Sequence, residues 1–224
     1  MRILCTNALK ASIQSLISTL EPLEQATITL QFSPTAHIVT QLLDGDHPEI
    51  VILTKKAANS LIQENPRWIN SIDLAASELG VAMKPGLEKP VIDNAANFQT
   101  FLLQATSIGY TTDGISGVYM ANLVQELGLR EKLATKTKLI KGGLAGELIV
   151  SGQVDFVIQN ISELMAVKGI EIVGKLPDEI QLKTIFSAAL SQVGQENSSA
   201  LKFWQLLNSD QAKGLYETNG LTPV

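Results

Sequence analysis

A two-lobed α/β architecture is predicted, each lobe a mainly parallel sheet flanked by helices, with two crossover strands joining them. Three observations predict it. Short apolar runs of strand character alternate with amphipathic helical stretches along most of the chain, the pattern of a parallel sheet covered by helices. Two longer extended stretches, near 76–84 and 178–190, interrupt that alternation. Four strand-to-helix junctions carry small or hydroxylated residues.

The elements follow in order. Arg2–Thr6 reads as a strand and Leu9–Leu20 as a helix with Leu9, Ile13, Leu16, Ile17 and Leu20 on one face. Ala26–Phe32 alternates as a strand, and Ala36–Leu43 is a helix closed by Gly45. Ile50–Thr54 is a buried strand, followed by the helix Lys56–Glu64. Ile72–Met83 is extended and ends at the turn Lys84-Pro85-Gly86. Asn94–Gln104 opens a second set of units. In it Ser107–Thr111, Lys138–Ile140 and Val154–Gln159 read as strands, and Ile170–Lys175 leads to Leu176-Pro177. Val118–Leu127, Leu144–Ser151 and Ile161–Met165 read as helices. Glu179–Leu190 is extended again, and Ser199–Leu207 and Ser209–Thr218 are helical. The first lobe is therefore expected from both ends of the chain, 1–79 with 185–224, and the second from 85–178. Hinge strands are expected near 80–84 and 179–184. Trp68 and Trp204 read as packing residues.

Composition narrows the function. Of 224 residues, 45% are hydrophobic and 17% charged, enough apolar material for real cores. The apolar runs are far shorter than the roughly 20 residues of a membrane helix, so no direct membrane insertion is expected. Lys and Arg number 17 against 22 Asp and Glu, a net charge of −5. With Lys55-Lys56 the densest basic pair, there is no stripe to neutralise a phosphate backbone, so nucleic acid is not a predicted partner. Cys5 is the single cysteine, which excludes an internal disulfide and a cysteine-based metal site; in its apolar run it reads as a buried, inert thiol. His37 and His47 are the only histidines, with no H-E-x-x-H spacing. No metal site and no cofactor are predicted. Neither a G-x-x-x-x-G-K-[ST] loop nor a G-x-S-x-G elbow is present.

The junctions are Thr6-Asn7-Ala8-Leu9-Lys10, Ser33-Pro34-Thr35-Ala36, Thr112-Asp113-Gly114-Ile115-Ser116-Gly117-Val118 and Lys141-Gly142-Gly143-Leu144-Ala145. The first turn of a helix has unpaired N–H donors and about half a positive charge. Glycine and serine let a ligand approach that backbone closely, and ligands of open α/β sheets bind at the carboxyl ends of the strands. An anion is the guest such junctions suit. Any one of them, taken singly, also reads as an ordinary N-cap; the set of four favours a ligand. Lys10, one turn into its helix, is either a ligand contact or a solvated residue.

Several stretches along nearly the whole chain carry a resemblance. They are the "NALK" segment within Leu4–Lys10, "EIVILT" at Glu49–Thr54, "SGVY" at Ser116–Tyr119, "GGLAGELIVSGQVDFVI" at Gly142–Ile158, "QNISEL" at Gln159–Leu164 and "GKLPDEIQL" at Gly174–Leu182. In this order they resemble the molybdate-binding-like branch of the bacterial extracellular solute-binding proteins, which have the type II periplasmic-binding fold. That resemblance implies capture of a small anion, an organic acid or oxyanion, in an inter-lobe cleft that closes on it. It also implies delivery to an ABC transporter permease, or sensing. Carried over by position, the ligand contacts are Thr6, Asn7 and Ala8; Ser33 and Thr35; Ser116, Gly117 and Val118; Gly143, Leu144 and Ala145; and Gln159.

The sequence departs from molybdate binders, which typically place a tyrosine where Gln159 stands and serines at the first two junctions. An amide at Gln159, with Thr6, Asn7 and Lys10, suits a carboxylate better than a compact tetrahedral oxyanion. Aconitate isomerase is similar to this same branch, and an isomerase acting on an unsaturated polycarboxylate is the alternative reading. Allylic proton transfer needs an acid and a base, for which Lys10, Asp113 and Tyr119 are the candidates. A cytosolic ligand sensor is a third reading, without a helix-turn-helix to bind DNA. Met1-Arg2 runs directly into Ile3-Leu4-Cys5, with no apolar leader. The expected location is the periplasm if a leader has been removed, by resemblance, and the cytoplasm if the chain is complete.

Overall fold

The computed structural model describes all residues from Met1 to Val224. By its internal contacts the chain divides into two units, Met1–Ser77 with Thr184–Val224, and Glu78–Lys183.

In the first unit, β1 (Arg2–Cys5) lies between β2 (Thr29–Phe32) and β3 (Ile50–Thr54), parallel to both. Beyond β3 come β9 (Lys183–Ser191), antiparallel to it, and then β4 (Trp68–Met83), with β10 (Thr222–Pro223) antiparallel to β4. All five residues of β3 are buried, as an unbroken apolar run in a sheet covered on both faces should be. Neighbouring residues of β1 feed separate cores. Ile3 and Cys5 pack with Leu9, Ile13, Leu16, Phe203 and Tyr216, while Leu4 packs with Ile38, Leu42, Val51 and Leu53. Cys5 is fully buried, and burial pushes its thiol pKa up, the state of an inert thiol.

In the second unit, β5 (Ile108–Thr111) lies between β6 (Thr137–Ile140) and β7 (Phe156–Asn160), parallel to both. The far end of β4 pairs antiparallel with β7 and with β8 (Glu171–Lys175). Here too alternation supplies two cores. Phe156 and Ile158 pack with Met120, Leu123 and Val124, whereas Val157 packs with Ala145, Leu148 and Ile149.

The α/β class is as predicted. The sheets are mixed rather than mainly parallel throughout. Strands joined through helices run parallel, whereas β4 and β9, which pass from one unit to the other, enter each sheet antiparallel. Element edges differ where backbone chemistry overrides apolar periodicity. The second strand starts at Thr29, because Pro22 opens a short helix, Pro22–Gln25, before it. The helix after β5 begins at Gly114, four residues before the expected start, so Ser116, Gly117 and Val118 lie inside its first turns. The expected helix Leu144–Ser151 shrinks to Glu147–Val150. Left-handed Gly142 and Gly143 (φ 68° and 81°) turn the chain there first. The second extended stretch starts only at Lys183, because Pro177 leads into a 3₁₀ turn, Asp178–Ile180. No helix is long and apolar enough to cross a membrane.

Candidate functional site

Each unit places two of the four junctions at the carboxyl ends of adjacent parallel strands. In the first unit these follow β1 and β2, where Cys5 pairs with Phe32. Thr6 is buried, and its backbone N–H donates to the Ile52 carbonyl at 2.9 Å. Ala8 is buried and Asn7 half-buried in the 3₁₀ turn that follows. Ser33 is buried, and its N–H donates to the Cys5 carbonyl at 3.1 Å. Thr35 opens the helix Thr35–Leu43, with its Oγ1 buried and unpartnered. The Lys10 ammonium lies 5.6 Å from the centre of the Phe32 ring. It therefore leans toward the end of β2, the strand that precedes the second junction.

In the second unit the junctions follow β5 and β6, where Thr111 pairs with Ile140. Asp113 precedes the helix Gly114–Glu126, and its Oδ1 is buried without a partner. A methyl group on Gly142 would sit 3.5 Å from both Asp113 carboxylate oxygens, so the third and fourth junctions touch. Ser116 and Gly117 are buried, Val118 and Gly143 are exposed and Leu144 is half-buried. Gly117 has a packing reason for being glycine: a Cβ there would stand 2.1 Å from the Thr111 carbonyl oxygen.

Gln159, at 1% exposure, acts on the fourth junction rather than standing free. Its Oε1 accepts from the Ala145 N–H at 2.7 Å, and its Nε2 donates to the Gly143 carbonyl at 2.9 Å. The side chain thereby sets the shape of the Gly143–Ala145 turn. Gln159→Leu is expected to lower stability by about 2–3 kcal/mol, because it leaves a buried donor and an acceptor unpaired. Thermal denaturation measures this, and an unchanged melting point would mean the turn holds its shape alone. Tyr119 donates its hydroxyl to the Ile180 carbonyl at 2.9 Å, and burial, then Glu126, raises its pKa.

Helix caps set the first and third junctions, together with Asn160, apart from the capped helices. Eight helical segments are preceded by a Ser, Thr, Asp or Asn. Thr54, Asn94, Ser191, Asn197 and Ser209 accept from the backbone of their own helix. Thr6, Asp113 and Asn160 do not. An N-cap residue that leaves its helix uncapped forgoes about 1 kcal/mol. The three that do so all stand at the carboxyl end of β1, β5 or β7.

Sequence reasoning missed Asn160 and Glu163. Asn160 is 5% exposed and Glu163 7% exposed. Asn160 Nδ2 donates to Glu163 Oε2 at 2.7 Å, and Asn160 Oδ1 is buried without a partner. Burial pushes the Glu163 carboxyl up to about 7, against the opposing pull of the Asn160 side-chain and backbone N–H groups. The available signal was the N-x-x-E spacing inside "QNISEL", which is a capping-box pattern. Elsewhere, His37 and His47 are exposed, with His47 against Arg67, and no group of three or more His, Cys, Asp or Glu could hold a metal ion.

The family model of the bacterial extracellular solute-binding proteins matches residues 1–222. The chain belongs to that family. A relative named aconitate isomerase, from a Pseudomonas species, is 31% identical to this family member over 189 residues, or 84% of this chain and 72% of the relative. The Azotobacter vinelandii periplasmic molybdate-binding protein shares the fold at a TM-score of 0.74, with 15% identity over 99% of this chain and 98% of its own. The sulfate-binding protein of Mycobacterium tuberculosis does so at 0.72, with 14% identity over 100% of this chain and 86% of its own.

Proposed function

We propose that this solute-binding protein captures a small organic anion through backbone amides and hydroxyls of the kind its junctions present. It would then deliver the ligand to an ABC-type membrane permease from outside the cytoplasmic membrane. The observation that carries this reading is that Thr6 and Asp113, at one junction in each unit, leave their own helices uncapped, because uncapped first turns keep N–H groups available to an anion. Thr6, Asn7, Ala8, Ser33 and Thr35 would serve in the first unit. Ser116, Gly117, Val118, Gly143 and Leu144 would serve in the second, while Gln159, which takes the Ala145 N–H, shapes the turn. Lys10, one turn into the helix of the first junction, favours a carboxylate, whose charge it would meet directly.

A second reading rests on the 31% identity to a relative named aconitate isomerase: isomerisation of an unsaturated polycarboxylate, for which Lys10, Asp113 and Tyr119 remain the proposed acid–base candidates and Glu163 joins them. One panel separates the readings. Citrate, cis-aconitate and trans-aconitate are expected to raise the melting point by about 5–10 °C at a hundredfold excess over Kd, while molybdate, tungstate and sulfate leave it in place. A shift with the oxyanions alone overturns the carboxylate preference. Ultraviolet loss of the trans-aconitate signal with time, at micromolar protein, would replace simple capture by the isomerase reading.

A further inference from the structure

Strand β7 supplies two polar side chains, one to each face of its sheet. Ile158 packs with the helix Gly114–Glu126, and Val157 packs beside Ala145 and Leu148. Alternation therefore places Gln159 on the face of the fourth junction, where its amide is bonded, and Asn160 on the face of the third. Asn160 donates through Nδ2 to Glu163, and its Oδ1 is buried with nothing to accept from. An unpartnered buried acceptor costs about 1–3 kcal/mol. It stands at the carboxyl end of a strand, where ligands of such sheets bind. On the neighbouring parallel strand, the junction after β5 holds a second such acceptor, Asp113 Oδ1. A fully deprotonated oxyanion has no hydrogen to offer either of them, whereas a hydroxyl does.

We infer that Asn160 is a specificity-determining residue that accepts a hydrogen bond from a hydroxyl on the bound carboxylic acid, and that Glu163 is the positioning residue holding that amide oxygen toward the ligand. The inference rests on the organic-anion reading above and narrows it to hydroxy acids. The orientation follows from charge. An ionised Glu163 accepts from the Asn160 amide nitrogen, and turning the amide over would set oxygen against oxygen. At pH 8, above the value of about 7 to which burial pushes Glu163, the carboxylate is ionised, so the amide is held.

The test is calorimetric titration of the full chain at pH 8 with two ligand pairs that differ by a hydroxyl alone, citrate against tricarballylate and malate against succinate. The hydroxylated member is expected to bind about tenfold tighter or better, because a site built around a hydrogen bond rejects the analogue lacking it. Asn160→Leu should bring that ratio close to one while the deoxy acids bind much as before; Asn160→Ala carries the same test should the leucine variant fold poorly. Glu163→Gln, isosteric and uncharged, should lower the ratio, whereas a purely structural role would weaken both members of a pair alike. Equal affinity within both pairs in the unmodified protein, or a ratio surviving Asn160→Leu, overturns the hydroxyl inference and leaves the anion reading standing. If no carboxylic acid or oxyanion binds at all, the anion reading fails and this inference falls with it.

Discussion

Replacing Gly117 with alanine is expected to destabilise the Glu78–Lys183 unit by about 3 kcal/mol and to lower its melting point by about 6–12 °C. The reason is local and steric. Gly117 lies within the helix Gly114–Glu126, and its Cβ would stand 2.1 Å from the Thr111 carbonyl oxygen and 2.5 Å from Thr111 Oγ1. Both atoms sit at the end of β5, and Thr111 Oγ1 is already committed to the Asp113 carbonyl at 2.8 Å. The helix must lift away from the strand to admit the methyl group, taking the amides of Ser116 and Val118 with it, so anion affinity should fall as well. Gly214 is the matched control. It lies inside the helix Asp210–Thr218, and a methyl group added there would meet no heavy atom within 4 Å. Gly214→Ala should therefore stabilise by about 0.5–1 kcal/mol through helix propensity. Equal melting points for Gly117→Ala and the unmodified protein would show that the helix does not rest on Thr111 as described.

Glu163→Gln is expected to stabilise the protein at pH 8 and to lose most of that advantage at pH 5. The folded-state carboxyl titrates near 7, above its ordinary value of 4.5, because burial disfavours the charge. The sign follows from linkage. Below 4.5 both folded and unfolded chains hold the proton and no penalty exists. Between 4.5 and 7 the unfolded chain gives up its proton first, and the folded state loses ground. Above 7 the folded state carries a buried charge and the penalty is complete, at roughly 3 kcal/mol. Glutamine removes that penalty at nearly the same volume. The gap in melting temperature between variant and parent should therefore shrink by about 5–10 °C from pH 8 to pH 5. A gap that does not change with pH would mean that Glu163 is not held in a desolvated site.

Both predictions turn on contacts that local sequence does not encode. Gly117 is visible in the sequence as a small residue at a junction, and glycine at such a place suggests room for a ligand. The partner that demands glycine there is Thr111, a residue of the preceding strand, and its distance from the helix depends on how the whole unit packs. Gln159 is similarly visible as an amide able to read a carboxylic acid. Its actual partners, Gly143 and Ala145, lie 16 and 14 residues earlier, and a contact of that span has no local signature. Asn160 and Glu163 carry no local mark of a buried pair, because the N-x-x-E spacing is that of any capped helix.

Alternation of apolar runs, turn chemistry and the order of short motifs were enough, from sequence alone, to determine an α/β class, the central strands β1, β3, β5 and β7, and the relationship to bacterial solute-binding proteins. Those signals are local, since each depends on residues within one or two turns or one strand, and hydrophobic periodicity records them directly. The mixed strand directions, the contact between Gly142 and Asp113, and the separation of helices that are capped from helices that are not came only with tertiary structure. Whether a threonine or asparagine caps its helix or leaves its oxygen unpartnered depends on what the rest of the chain brings within hydrogen-bonding reach, and one-dimensional spacing holds no record of that.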